Sequence, residues 1–255
     1  MMNSVNGTRI LLLFTRSPQA EARLKGLPGE AGARLFAALL RSWAQSAREV
    51  GARLVVSAPG ACMHRLRALG LDPEAEFLLQ KAIGFGARLE EAARAAFATG
   101  AGAVVLAGGD VPAPEARMLE AAFRALESGA PAVLGPSRDG GVYLIGLPGH
   151  DEGLLRRIRP RDPGAFRQCL GRLSRHGGAP LILGERPDLD CAEDAGRLAR
   201  GGSTPEAWAP FEALLGRVRA PEAASRPART GRAAPGHSPA TRLRGPPRRP
   251  SPPPA

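Results

Sequence analysis

The sequence predicts an α/β fold, a mainly parallel but mixed sheet covered by helices on both faces. Two observations carry this expectation. Short apolar runs rich in Val, Leu and Ile recur at residues 10–14, 54–57, 103–107 and 132–134, without the polar alternation of a strand that has one wet face. Between them lie stretches of helical period. Residues 31–50 place Leu35, Leu39, Leu40, Trp43 and Ala47 at three-and-four spacing with arginines opposite, which is the pattern of a helix packed on one side. Residues 90–99 and 114–127 repeat it. Strands alternating with helices of this length build a sheet whose crossovers cover both faces.

Taken in order, the first strand is the uninterrupted run ILLLF at 10–14, and the second follows the long helix at 54–57. The run AVVLA at 103–107 leads into Gly108, Gly109 and Asp110, and the run at 132–134 leads to Asp139, Gly140 and Gly141. Residues 142–146 continue as a further apolar segment, and 181–183 form a late strand candidate. The chain of 255 residues is long enough for one substantial core, expected over residues 1–218. Beyond residue 219 the composition turns to Pro, Arg, Ala and Gly, with ten of the 25 prolines after Ala220. A segment with so little to bury is expected to be a disordered tail with polyproline character, either dispensable or a ligand for an SH3-like or acidic partner.

The net charge of +11 does not point to nucleic acid. Seven arginines against one glutamate beyond Ala220 account for six of those charges, and no aromatic residues interleave with the basic ones to offer stacking platforms. Lysine occurs only at Lys25 and Lys81. The cysteines Cys62, Cys169 and Cys191 are scattered, without the spacing of a zinc site or a redox dithiol. The apolar run at 10–14 is too short for a signal core or a membrane span. A cytoplasmic protein with no membrane partner is expected. His64, His150, His176 and His237 show no paired spacing, and no nucleophile elbow is present.

Chemistry concentrates where apolar strands give way to glycine and aspartate. Asp110 after Gly108 and Gly109, and Asp139 before Gly140 and Gly141, each stand at a strand end. There a carboxylate can hold a divalent cation, and neighbouring glycines can admit phosphate or sugar to the backbone, although turn residues have the same composition. The loop at 14–28 offers Arg16, Arg23 and Lys25 with Gly26 to phosphate but lacks the P-loop pattern. Gln80 carries a side-chain amide able to hydrogen-bond a ligand, and Gly86 and Arg88 stand at the start of a helix. Asp188 and Asp190 alternate, so on an extended segment both side chains point the same way and can complete a metal site with Asp110. Asp194 opens a helix and complements its dipole.

These motifs resemble the GT-A-like nucleotide-diphospho-sugar transferase superfamily, and within it the bacterial DUF2064 group, related to the guanylyltransferases of cofactor biosynthesis. The resemblance spans about residues 10–198. It rests on Phe14, Thr15, Arg16 and Pro18 in the first loop, on Gln80 with the Phe-Gly-x-Arg step ending at Arg88, and on Gly-Gly-Asp-Val-Pro around Asp110. The element from Asp139 through Gly140, Gly141 and Tyr143 to Gly146 matches almost throughout, and 186–194 is similar to a late Asp-x-Asp motif. The chain departs where the group has Lys-Thr-Arg-Leu and this sequence has Leu24, Lys25, Gly26 and Leu27, and where Cys191 and Ala192 replace Thr and Pro.

The resemblance implies a GT-A/Rossmann-like three-layer sandwich and a transferase using Mg²⁺ or Mn²⁺. Asp110 and Asp139 would be catalytic, and Asp110, Asp188 and Asp190 would hold the metal. Arg16, Lys25, Gln80, Arg88, Gly108 and Gly109 would bind the nucleotide, and Gly140, Gly141 and Tyr143 the acceptor. Glycosyl transfer from a nucleotide sugar to a small-molecule acceptor is the first reading. Nucleotidyl transfer from an NTP to a phosphorylated acceptor is the second, and a lapsed binding or regulatory protein, motivated by the altered first loop, is the third.

Overall fold

The computed structural model describes residues 7–194 apart from 28, 112–114, 151, 160–161, 175–177, 188 and 192. The chain divides between residues 221 and 222 into two units, and every described residue lies in the first. The tail expected beyond residue 219 lies outside the described residues.

The elements run β1 (Thr8–Phe14), α1 (Pro18–Leu24), α2 (Gly29–Glu49), β2 (Arg53–Ala58), α3 (Gly60–Arg67), β3 (Glu76–Leu79), α4 (Phe85–Ala98), β4 (Ala101–Gly108), α5 (Ala116–Glu127), β5 (Val133–Pro136), β6 (Val142–Leu147), α6 (Ala165–Leu173) and β7 (Leu181–Ile182). They build a seven-stranded sheet in the order β3-β2-β1-β4-β6-β5-β7. β1 to β4 are mutually parallel, β7 is parallel to β5, and β6 alone runs against its neighbours. The expectation of a mainly parallel, mixed sheet is borne out. Residues 137–141 form a tight hairpin between β5 and β6, with the Ser137 amide donating to the Gly141 carbonyl at 3.1 Å. The short hairpin forces β6 to run antiparallel.

Alternation along β1 divides the core. Leu11 and Leu13 join the cluster beneath α2, α3 and α5, whereas Ile10 and Leu12 join the one beneath α4 and α6. All four are fully buried, which explains the unbroken apolar run: each face of β1 has a helical layer over it. The sequence reading missed β3, α1, α3 and α6. β3 is an edge strand with half-buried residues, and the three helices have nine residues or fewer, too short for periodicity to stand out. No helix among the described residues is long and apolar enough to cross a membrane.

The antiparallel β6 matters for the site. Its first residues lie beside the last residues of β4, with Leu144 opposite Ala107, so the hairpin bearing Asp139 and the loop bearing Asp110 emerge at one sheet edge. Fully buried Trp43 on α2 donates its indole N–H to the Val111 carbonyl at 3.0 Å, tying the loop after β4 to the helical layer. Replacing Trp43 with Phe removes this donor and some core volume. We expect a loss of about 1–3 kcal/mol, measurable by urea denaturation followed by circular dichroism.

Candidate active site

A pocket of about 410 Å³ opens at the carboxyl ends of β1 and β4, the usual ligand position in open sheets and a size suited to a small organic ligand. Its lining brings together Arg16, Lys25, Gln80, Arg88, Gly108, Gly109, Asp110, Asp139, Gly141, Tyr143 and Asp190. Gly140 does not line it, and Asp188 lies outside the described residues. Phe14 and Phe85 also border it, meeting edge to face at 5.4 Å between ring centroids.

At its centre is Lys25, the residue that follows α1, with only 6% of its surface exposed. Its Nζ donates to Asp110 Oδ2 at 2.7 Å and also to Asp190 Oδ1. Burial disfavours the charged ammonium, but the two carboxylates outweigh it and raise the pKa above its ordinary value. Lys25 is thus charged at any physiological pH, and it holds the point on which Asp110 and Asp190 converge. The altered first loop still delivers a lysine to the carboxylates.

Asp190 reaches this point by a long return path. After β7 the chain runs along the sheet edge, with the Leu183 amide donating to the Leu134 carbonyl at 2.8 Å and the Arg186 amide to the Pro136 carbonyl at 3.0 Å. It then crosses to the β4 loop, where the amide of fully buried Leu189 donates to the Asp110 carbonyl at 3.2 Å. Asp194 accepts the amides of Asp190 and Cys191 at 2.9 and 2.8 Å. Its carboxylate shapes the turn that aims Asp190, a more specific task than the helix-dipole role expected of it.

Arg16 lies at the rim and pairs with Glu21 at 3.2 Å. The Gln80 amide nitrogen donates to the Ser57 carbonyl at 2.9 Å, which leaves its side-chain oxygen for a ligand. Arg88 carries a buried Nε with no hydrogen-bond partner, a donor that an anion in the pocket would satisfy.

Three of the expected site residues also have structural tasks. Tyr143 borders the pocket, but its ring packs over Gly135 and its hydroxyl donates to the Gly184 carbonyl at 3.1 Å. Burial pushes its pKa up to about 12, and the contact with Gly184 pins the hairpin to the segment after β7. A Cβ at Gly109 would come within 2.4 Å of Thr15 Oγ1 and 2.8 Å of Leu40, so packing by itself requires glycine there. Gly140 adopts φ +88°, and a Cβ would sit 2.2 Å from the Pro163 carbonyl oxygen, so it serves the turn. Asp139 lines the pocket and also accepts the Gly141 amide at 2.8 Å.

Sequence reasoning missed Glu90 and Glu21. Glu90 is 4% exposed and takes the backbone amides of Gly153, Leu155 and Arg156 at 2.5, 3.0 and 3.1 Å. It fastens α4 to the loop that carries Ile158 and Arg159 into the pocket. Only its place on the helix face that otherwise bears Leu89, Ala93 and Ala96 marked it in the sequence. Glu21 on α1 is 7% exposed, and burial, then repulsion from Asp110, raise its pKa.

Residues 39–160 match the DUF2064 family, described as an uncharacterised protein conserved in bacteria. The resemblance read from the motifs is borne out over that segment, which includes Gln80, Arg88, Asp110 and Asp139 and lies between Lys25 and Asp190. No curated protein matches the chain. Among solved structures, a protein of Desulfovibrio desulfuricans G20, provisionally named a nucleotide-diphospho-sugar transferase, is 23% identical with a TM-score of 0.69, covering 83% of this chain and 98% of that one. Rv0371c of Mycobacterium tuberculosis H37Rv is 21% identical with a TM-score of 0.51, covering 74% and 97%. Its manganese complex gives 21%, 0.50, 75% and 98%. The 4-diphosphocytidyl-2C-methyl-D-erythritol synthase of Anaerococcus prevotii is 11% identical with a TM-score of 0.50, covering 73% and 90%. These likenesses establish the fold, a mixed sheet between two helical layers.

Two outcomes follow from the missed carboxylates. Glu90→Ala strands three backbone amides, and we expect it to lower stability by about 3 kcal/mol, measured by chemical denaturation, with Glu90→Gln retaining part of the loss. For Glu21 the folded pKa lies above the unfolded value of about 4.3. Its contribution is therefore most favourable below that value and is lost as pH rises through the folded pKa. Glu21→Gln removes this penalty while giving up a half-exposed pair with Arg16 of small worth. Its melting temperature is expected to exceed that of the parent at pH 7.5, with the difference vanishing near pH 4.

Proposed function

We propose that the protein is a transferase acting on a nucleotide-activated donor with the help of a divalent cation, and that its reaction is glycosyl transfer from a nucleotide sugar to a small-molecule acceptor. The observation that carries this reading is the convergence of Asp110 and Asp190 on one cationic point in a pocket that also holds Arg16, Gln80 and Arg88. Among the described residues no group of three or more metal-ligating side chains gathers. The two carboxylates are hard oxygen donors, which suit Mg²⁺ or Mn²⁺, and manganese bound to the fold-mate Rv0371c supports that choice. When bound, such a cation would neutralise charge on the donor diphosphate.

The chain's own residues supply the rest. Asp110 and Asp190 would hold the divalent cation, and Lys25, released from the carboxylates, would donate to the donor phosphates together with Arg16 and the open Nε of Arg88. Gln80 offers its free oxygen to the base or ribose. The acceptor hydroxyl oxygen attacks the anomeric carbon, the bond from that carbon to the diphosphate breaks, and the nucleoside diphosphate departs with the bonding pair. The hydroxyl proton passes to the Asp139 carboxylate. Rate enhancement comes mainly from positioning and charge neutralisation. Lys25, still reaching the carboxylates, speaks against a lapsed site.

Nucleotidyl transfer is a second reading, favoured by a group of arginines beside the pocket. There a phosphate oxygen of the acceptor attacks the α-phosphorus of an NTP, and pyrophosphate leaves.

A thermal-shift screen of the full chain with nucleotides and nucleotide sugars, with and without Mn²⁺, tests the proposal. A stabilising shift with one nucleotide class is expected, dependent on Mn²⁺ and abolished in Asp110→Ala. Lys25→Met is expected to bind Mn²⁺ alone about tenfold more tightly, because about 1.4 kcal/mol of charge competition disappears, while its nucleotide affinity falls. No shift with any nucleotide would overturn the proposal. Release of a nucleoside diphosphate from a nucleotide sugar marks glycosyl transfer, and release of pyrophosphate from an NTP marks nucleotidyl transfer.

A further inference from the structure

Beside the main pocket lies a second concavity of about 550 Å³, lined by Arg156, Arg157, Arg159, Asp162, Gln168 and Arg172. Arg159 and Asp162 line both spaces, so the second adjoins the first. Four guanidinium groups around one hollow repel one another. Such a cluster is ordinarily balanced by carboxylates, yet among the described residues none of the four forms an ion pair. The one carboxylate in the lining, Asp162, is engaged by the Gly164 amide and the Gln168 side-chain amide, both at 2.8 Å.

The cluster is also held in place. Glu90 accepts the amides of Gly153, Leu155 and Arg156, and Leu155 is buried against the core beneath α4 and α6. Arg172 comes from the last turn of α6, so the two walls of the hollow stand on separate anchored elements. Planar guanidinium donors carried on these two anchored elements match the oxygens of a phosphate, which such groups bind through paired, charge-assisted hydrogen bonds.

We propose that this hollow is an anion subsite that takes the phosphate of a phosphorylated acceptor, separate from the donor-phosphate contacts of Lys25, Arg16 and Arg88. Its role as an acceptor subsite rests on the transferase reading, whereas phosphate binding there does not. A substrate whose phosphate sits in the arginine hollow extends its reacting end past Arg159 toward Asp139 in the main pocket. Neutral acceptors are disfavoured because they leave the arginines without a counterion.

Isothermal titration of glycerol 3-phosphate, inorganic phosphate and glycerol into the full chain tests this. Arg157→Gln/Arg172→Gln is the variant of choice, since both residues line the hollow alone and neither is buried. Arg88→Gln serves as the control for the main pocket. Glycerol 3-phosphate is expected to bind the parent at least as tightly as inorganic phosphate does, and glycerol not at all. Its affinity should fall tenfold or more in the double variant, remain within twofold in Arg88→Gln, and decline with salt. Unchanged melting temperatures without ligand show that the variants are folded. No binding to the parent, preference for inorganic phosphate over the monoester, or a loss in Arg88→Gln with none in the double variant would overturn the proposal. Failure of the transferase reading shows separately, as no nucleotide-dependent shift in a parent protein that still binds glycerol 3-phosphate through Arg157 and Arg172.

Discussion

The buried ammonium of Lys25 between Asp110 and Asp190 joins three segments that are far apart in the chain: the end of α1, the loop after β4 and the return path after β7. A lysine this deeply buried persists only where opposite charge compensates its lost hydration, and each carboxylate in turn depends on it. The pocket owes its shape to that mutual dependence. If the lysine were absent, two carboxylates would face each other across a partly dry cleft, and the β4 loop and the return strand would separate or draw in another cation.

Around this centre, polar side chains fasten loops to the sheet sandwich. Trp43 holds the Val111 carbonyl, Glu90 gathers three amides of the loop after β6, Asp194 shapes the turn at Asp190, and Tyr143 pins the hairpin to the segment after β7. In each case a buried or half-buried donor or acceptor meets backbone that no helix or ladder satisfies. The pocket end of the sheet is thereby tied to the sandwich although it is made of loops, as the preorganised electrostatics of the proposed reaction requires.

Charge is segregated within the site. Carboxylates and Lys25 occupy the mouth of β1 and β4, Arg16 and Arg88 line the same pocket, and the second hollow, which shares Arg159 and Asp162 with it, adds Arg156, Arg157 and Arg172. This gradient is what the proposed substrate pair requires, a nucleotide diphosphate on one side and a phosphorylated acceptor on the other. It also gives a physical sense to a basic folded region in which lysine is nearly absent, because guanidinium donors bind phosphate in a fixed geometry.

Much of the fold was legible in the chain itself. The unbroken apolar runs of β1 and β4 and the helical period of α2 reflect burial on both faces and on one stripe, and such burial leaves its mark in local sequence. The aspartates at strand ends were legible for the same reason, since Asp110 and Asp139 stand where strand composition stops. Only the tertiary structure decided what those residues meet. Lys25 found its carboxylates across 85 and 165 positions of chain, Gly109 proved to be dictated by Thr15 and Leu40, and Glu90 and the arginine hollow arise from elements with no local relation to one another. Sequence pattern records which residues are buried and where strands end. Which charges come together is set by long-range packing, and no local spacing carries that information.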